Sequence, residues 1–446
     1  MKKRIAFFSL LIILLSAGFY LNALMPVITG YAAKNLASGV FVAGRTQEAL
    51  ENEDLNFSVI KFTVNKVDFE KKEVVSRFLW GKSKAIYIEG FGCTLVEDYD
   101  DDEIRARLYP QQHVLPERPD TIAWPAGDLI ADRVPEGINI EKLNQAVELV
   151  MSDTVPFKGT FAVMVVYKGQ PVAEVYRDDF NRDTRFLSWS MAKSFTNTLI
   201  GIRVKQGLLN IHEPLSFAGW NVGTPREITM NNLMQMNSGL EWNEDYGNLS
   251  DVTIMLHKEG DMGAFAEEKD VAAQHEEVWY YSSGTTNIAC LALRQTFPSD
   301  PDYWSFPRKE LFNKIGMRSA VFELDASGTF VGSSYLYATM RDYARFALLY
   351  MNGGSWLGEQ ILPDDWVDYT TQPAKGSDGK YGAFFWLNQS GSQPDAPADT
   401  YSCKGHDGQS IFMIPSRDLV VIRTGYSKKG EFDNNLMLKE ILNSLE

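Results

Sequence analysis

Ser190-Met191-Ala192-Lys193 sets a hydroxyl and an amine three residues apart. On a helix those positions share a face, and a lysine stripped of water by burial gives up its proton and can act as a base. The pair has the makings of an activated serine, in which the amine takes the hydroxyl proton and the oxygen attacks an acyl carbon. Free N–H groups at a helix start would stabilise the alkoxide and then the acyl oxyanion. The same spacing recurs at Ser58-Val59-Ile60-Lys61, and about one such match per chain is expected by composition alone. Context separates the copies. Around Ser58 the apolar residues alternate as in a strand, which sends residues three apart to opposite faces. After Ser190, by contrast, Met191, Phe195, Leu199 and Ile202 recur at helical spacing and Gly207 supplies a stop. Ile200 and Val204 add a second apolar side, which predicts deep burial of the helix. On the motif alone, a capping Ser190 with Lys193 at the surface competes with this reading.

Other chemistries lack footing. No G-x-S-x-G, H-E-x-x-H, P-loop or G-x-G-x-x-G is present. Cys93, Cys290 and Cys403 form no C-x-x-C pair, so at most one disulfide and no cysteine-based zinc module is expected. His113, His212, His257 and His275 show no metal or triad spacing, and no metal or organic cofactor is expected. The run Glu97 to Glu103 lacks the glycine-punctuated spacing of a calcium loop and reads as a solvated acidic loop.

Two later segments, Tyr281-Ser282-Ser283-Gly284 and Gly405-His406-Asp407-Gly408-Gln409, follow the first motif in order. Together the three resemble the motifs of the serine β-lactamase and penicillin-recognising superfamily. They are most similar to its class C β-lactamase, esterase and 6-aminohexanoate-dimer hydrolase branch. Ile228-Thr229-Met230 through Asn237-Ser238-Gly239-Leu240 and the segment Met340 to Phe346 support the likeness, which covers about 135 to 446. The resemblance implies Ser190 as the acylated nucleophile, Lys193 as its base and Tyr281 as the relay that carries the proton to the leaving group. A phenol has a reference pKa near 10 and needs a cationic neighbour for that task, which Lys193 would supply. It further implies that residues 406 to 409 lie on an edge strand beside the site. The backbone N–H of Gln409 would join that of Ser190 as an oxyanion hole, and Gly408 would allow close substrate approach.

Two departures bear on the substrate. Ser283 stands where the lactamases of the branch carry asparagine, and His406-Asp407-Gly408 stands where they carry Lys-Thr-Gly. A histidine is only partly charged near neutral pH, so the carboxylate of a β-lactam or peptide would lose its main anchor. Hydrolysis of an ester or a linear amide is therefore expected. A D,D-peptidase or transpeptidase on cell-wall peptides, and a binding module without turnover, are the alternatives. Tyr381, Phe384, Phe385 and Trp386 line a pocket in one reading and fill the core in the other.

The elements that must position these residues belong to a chain of 446 residues, 45% hydrophobic and 23% charged, enough for a large core. A net charge of −15 and a pI near 5.0 argue against nucleic-acid binding, which needs cationic surface. Lys2-Lys3-Arg4 followed by the apolar run Ile5 to Ile28 reads as an export signal in residues 1–30, either a membrane anchor or a cleaved signal peptide. The positive-inside rule then places the remainder outside the inner membrane, tethered to it or periplasmic. A strand-rich region at 31–130 precedes the hydrolase domain at 131–446. Within that domain a helix over Ile140 to Met151, a hairpin over Thr160 to Tyr176 and final strands over Ser410 to Ile414 and Leu419 to Thr424 are expected. The fold class is α+β of the β-lactamase and transpeptidase type: an antiparallel sheet completed by both ends of the domain, flanked by helices, with a helical subdomain inserted.

Overall fold

The apolar N-terminal run forms one helix, α1 (Lys2–Phe41), much longer than the hydropathy pattern marks. The computed structural model describes residues 2–107, 109, 119–220 and 223–446. Phe7, Phe8, Leu15 and Phe19 on the early turns of α1 are exposed, whereas Met25, Ile28, Ala32, Ala33, Leu36 and Ala37 are buried. No helix among the described residues is long and apolar enough to cross a membrane. The buried stripe lies on a four-stranded antiparallel meander of β1 (Val64–Asp68), β2 (Glu73–Phe78), β3 (Gly81–Ile88) and β4 (Gly92–Leu95). Gly30 allows α1 to approach the later helical layer, since a Cβ there would lie 1.9 Å from the His257 carbonyl oxygen.

The expected strand around Ser58 is absent. Ser58 holds a left-handed backbone (φ 45°) and residues 60–62 make a single 3₁₀ turn, so pairing begins only at Val64. Ser58 and Lys61 are both exposed. Part of the acidic run is a helix cap rather than free loop, because Asp100 accepts from the backbone N–H of Asp102 and Glu103.

The central sheet has six antiparallel strands. After α2 (Ile140–Val150), the hairpin β5 (Thr160–Tyr167) and β6 (Gln170–Tyr176) turns at Lys168-Gly169, both left-handed. The far end of the chain adds β10 (Trp386–Leu387), β11 (Tyr401–Lys404), β12 (Ser410–Ile414) and β13 (Leu419–Gly425) in the order β10-β11-β12-β13-β5-β6. Leu419 faces Tyr167 and Thr424 faces Ala162, so the two ends of the domain close the sheet. Strand periodicity sorts the two faces. Val163, Val165, Phe412 and Val421 pack on α2 and the C-terminal helix α7 (Asn434–Leu442). Ala162, Met164, Ile411, Met413 and Ile422 face the helical layer.

That layer contains α3 (Ala192–Lys205), α4 (Asp251–Lys258), α5 (Ser283–Gln295) and α6 (Met340–Met351). A small sheet of β7 (Phe186–Leu187), β9 (Leu336–Ala338) and β8 (Val321–Phe322), in that order, leads into α3. Cys93, Cys290 and Cys403 are all free and buried, so no disulfide forms.

Candidate active site

Ser190 sits in a 3₁₀ turn (Trp189–Met191) at the head of α3, and Gly207 with φ 69° ends that helix as its pattern requires. Trp189 holds a left-handed backbone (φ 45°), an uncommon conformation for a bulky residue, and its indole is buried beside Tyr335. Met191, Phe195, Leu199, Ile200 and Ile202 are buried, so α3 lies inside the core. Lys193 is only 1% exposed, which rules out the surface alternative.

Three oxygens surround the Lys193 amine: Ser190 Oγ at 3.1 Å, Ser283 Oγ at 3.0 Å and the Ser333 carbonyl at 3.0 Å. The neighbours decide which way the protons run. A carbonyl can only accept. Ser283 Oγ donates its proton to Glu244 Oε1 at 2.6 Å, so toward Lys193 it too accepts. Two N–H bonds of Lys193 are thus committed, and only the third tetrahedral position faces Ser190. In the ammonium that position carries a proton; in the neutral amine it carries the lone pair, aimed at the Ser190 hydroxyl. Burial pushes the Lys193 pKa down to about 8, opposed by the Glu244 carboxylate.

Glu244 was not singled out by sequence. It accepts from Ser283 N–H at 2.9 Å and from the Trp242 indole, and lies in the loop that follows Ser238-Gly239-Leu240. Tyr281 is half-buried, with the Lys193 amine 4.8 Å from its ring centroid. Its ring stacks on Trp386 at 5.2 Å and meets Tyr381 edge-on at 5.8 Å. Burial, reinforced by Glu244, raises the phenol pKa, while a hydrogen bond with Ser190 acts the other way. The phenol is therefore the resting form. Tyr280 next to it is exposed. Half-buried Trp386 thus lines the site, Tyr381 is a core residue that touches the Tyr281 ring, and Phe384 and Phe385 are core.

Residues 406 to 409 are not on an edge strand. They form a turn between β11 and β12, and β10 covers the outer side of β11. The reason lies in β13: buried Arg423 donates to the carbonyls of Asp407 at 3.1 Å and Gly408 at 2.9 Å, holding left-handed geometry at both (φ 58° and 87°). A Cβ on Gly408 would strike Arg423 at 2.4 Å, so its lack of a side chain serves this packing. His406 is exposed, stacks on Tyr246 at 4.7 Å and meets Trp189 at 5.5 Å. Its Nε2 lies 3.3 Å from Asp407 Oδ1. Gln409 is buried, its side chain bonded to the backbone of Gly425 and its own N–H 3.5 Å from the His406 carbonyl. Lys193 therefore contacts Ser190, Ser283 and Tyr281 at once, and the 406–409 turn lies alongside them through Trp189.

The remaining histidines stand apart from this group. His212 is exposed, His257 is buried against Tyr31, His275 is half-buried, and His113 lies outside the described residues. Among the described residues no cluster of three or more His, Cys, Asp or Glu side chains could hold a metal.

The beta-lactamase family profile matches residues 158–443, well over half of the chain. The chain belongs to the beta-lactamase family. It is 24% identical over 352 residues to the 6-aminohexanoate-dimer hydrolase of Paenarthrobacter ureafaciens, covering 71% of this chain and 82% of that one. Among solved structures it resembles a family VIII carboxylesterase (TM-score 0.54, 14% identity, 68% of this chain and 96% of the other). It also resembles the D-alanine carboxypeptidase AmpC of Burkholderia cenocepacia (TM-score 0.52, 14% identity, 69% and 100%). This beta-lactamase relative thus has the fold of the family and hydrolases for homologues. The matched span leaves α1 and the four-stranded sheet outside it.

Proposed function

We propose that the protein is a serine hydrolase that cleaves an ester or linear amide through an acyl-enzyme on Ser190. Neutral Lys193 takes the Ser190 proton as Oγ bonds to the acyl carbon, and the carbonyl electrons move onto oxygen. When the tetrahedral adduct collapses, the Tyr281 phenol gives its proton to the departing alcohol or amine and recovers one from Lys193. Water then attacks the acyl carbon by the same route and releases the acid. The observation that carries this reading is the committed hydrogen bonding of Lys193, which leaves one position of a depressed-pKa amine for Ser190.

The preference for esters and linear amides over β-lactams rests on His406. Whatever positive charge it carries already faces Asp407, so it is a poor anchor for a substrate carboxylate. The oxyanion role of the Ser190 and Gln409 N–H groups belongs to the same proposal. The first 30 residues are read as an export signal, and the burial of Met25 and Ile28 favours a mature chain that keeps α1 from Met25 onward.

Treating the full chain with a fluorophosphonate and locating the adduct by mass spectrometry tests the chemistry. The adduct is expected on Ser190, absent in Ser190→Ala and at least 100-fold slower to form in Lys193→Ala. A folded protein that takes no adduct, or takes it elsewhere, overturns the proposal.

A further inference from the structure

A segment that holds Lys193 is itself gripped from outside the matched span. Its Ser333 carbonyl partner lies in segment 331–337, which also grips the Ser190 turn: Ser188 N–H donates to the Leu336 carbonyl at 2.8 Å, two residues before the nucleophile. The segment is in turn laced to Glu323, whose N–H donates to the Tyr335 carbonyl at 2.9 Å and whose carbonyl accepts from Val331 at 2.9 Å. The Glu323 side chain points away from the site into the N-terminal region, where it is 0% exposed.

There the carboxylate meets three donors from residues 31–95. Lys34 on α1 forms an ion pair with it, Ser38 Oγ donates at 2.9 Å, and the Cys93 N–H of β4 donates at 2.7 Å. Gly92 makes room, since a Cβ there would lie 2.6 Å from Glu323 Oε1. The Lys34 amine also sits 3.9 Å from the centroid of the Tyr335 ring, two residues from Ser333. Lys34 therefore reaches the 331–337 segment by two routes, directly at Tyr335 and indirectly through Glu323.

We propose that Lys34 is a positioning residue for the hydrolase: by pairing with Glu323 and capping Tyr335 it fixes the segment that orients both Lys193 and the Ser190 turn. The proposal rests on the serine-hydrolase reading. It gives the N-terminal region a part in catalysis, at a distance from the substrate. A buried ion pair adds little net stability compared with apolar packing, but losing one partner strands the other and loosens its surroundings.

The test compares Lys34→Met with Leu50→Ala in the full chain. Leu50 is buried against Gly39 of α1, so its truncation weakens the same packing without touching Glu323. Fluorophosphonate labelling of Ser190 is followed from pH 6 to 10, at a temperature where thermal melts show each variant folded. Lys34→Met is expected to label at least tenfold more slowly, with its pH midpoint about 1 unit higher as water reaches Lys193. Leu50→Ala is expected to stay within twofold of the parent at the same midpoint. Equal labelling by Lys34→Met and the parent, or an equal loss in Leu50→Ala, overturns the proposal. Should Lys34→Met not fold, Ser38→Ala keeps the ion pair but drops the bond that Ser38 Oγ gives to Glu323 and the one it takes from Lys34 at 2.9 Å; about a threefold loss supports the proposal and none refutes it. Labelling that survives Ser190→Ala would instead bring down the serine reading, which separates the two failures.

Discussion

Glu244→Gln offers a sharp test of the site's electrostatics, because Glu244 and Lys193 are joined only through the Ser283 hydroxyl. At a separation of about 5.5 Å and an effective dielectric of about 30, suited to one buried and one half-buried group, their attraction is about 2 kcal/mol. That equals about 1.5 pH units. Removing the carboxylate charge should therefore drop the midpoint of Ser190 acylation from about 8 to about 6.5. The base is weaker by the same margin, and a Brønsted slope of about 0.5 costs about fivefold in rate once the amine is free. The profiles cross. At pH 9 the variant should acylate about fivefold more slowly than the parent, and at pH 6 about fourfold faster. Burst kinetics with an activated aryl ester over pH 5.5 to 9.5 measure both arms, and a melting curve reads separately the about 1–3 kcal/mol expected from disturbed bonds to Ser283 N–H and the Trp242 indole. A uniform slowing with an unmoved midpoint would refute the electrostatic role and leave Glu244 a purely structural acceptor.

Two further expectations concern stability. Burial and the nearby Lys34 hold the His257 pKa down at about 3, and its Nδ1 has no partner. Between that value and the unfolded pKa near 6.5 only the unfolded chain binds the proton, so His257 removes up to about 1.4 kcal/mol of stability per pH unit on acidification below 6.5. His257→Phe, which keeps a ring against Tyr31 (5.0 Å), should gain about 2 kcal/mol relative to the parent between pH 7 and pH 5 in urea melts; an unchanged difference would count against it. On α3, Asn197 Oδ1 accepts from the Tyr350 hydroxyl at 2.7 Å and the Trp366 indole at 2.8 Å. Asn197→Leu strands the Trp366 indole and leaves the Tyr350 hydroxyl with Thr198 Oγ1 alone at 2.8 Å. It should cost about 1–3 kcal/mol in denaturant unfolding, whereas a loss under about 0.5 kcal/mol would show that the indole finds another partner.

Legibility followed the range of the forces involved. The α3 stripe, the hairpin with its Lys168-Gly169 turn and the closing strands were readable because their patterns are local and both sheet faces are buried. Ser190, Lys193, Tyr281 and Ser283 were readable as motifs, and burial of Lys193 followed from the apolar surround of its helix. Glu244 was not, since no spacing ties it to Ser283 and its role arises from a loop folding back. The turn at 406–409 was misread as strand because Arg423, which bends it, lies on β13. The strand expected around Ser58 failed because β-branched content there was not matched by extended backbone. The N-terminal helix was half legible: an apolar run says that a segment avoids water, but not whether lipid or protein replaces it. Small residues such as Gly30, Ala32 and Ala33 on one stretch of α1 were the available sign of close protein packing.

The two buried lysines show how one residue type is put to opposite uses. Lys34 meets the Glu323 carboxylate directly, with Ser38 and the Cys93 N–H completing the set of donors, so its charge is matched where it stands. Lys193 meets Glu244 only through the hydroxyl of Ser283, and its other fixed partner, the Ser333 carbonyl, carries no net charge. The intervening hydroxyl keeps enough carboxylate influence to orient the amine while burial still prevails over it, which is why Lys193 titrates near 8 rather than above its ordinary range. An asparagine at 283 would present an amide there, unable to pass a hydroxyl proton to Glu244 while accepting from Lys193 through the same atom. The Ser283 departure is thus coupled to Glu244. A chain with serine at this position should carry a carboxylate in the preceding loop, and exchanging Ser283 for asparagine should be tolerated better with Glu244→Gln than alone. A double-mutant cycle on acylation rates reads that coupling, and additive losses would show the two positions to be independent.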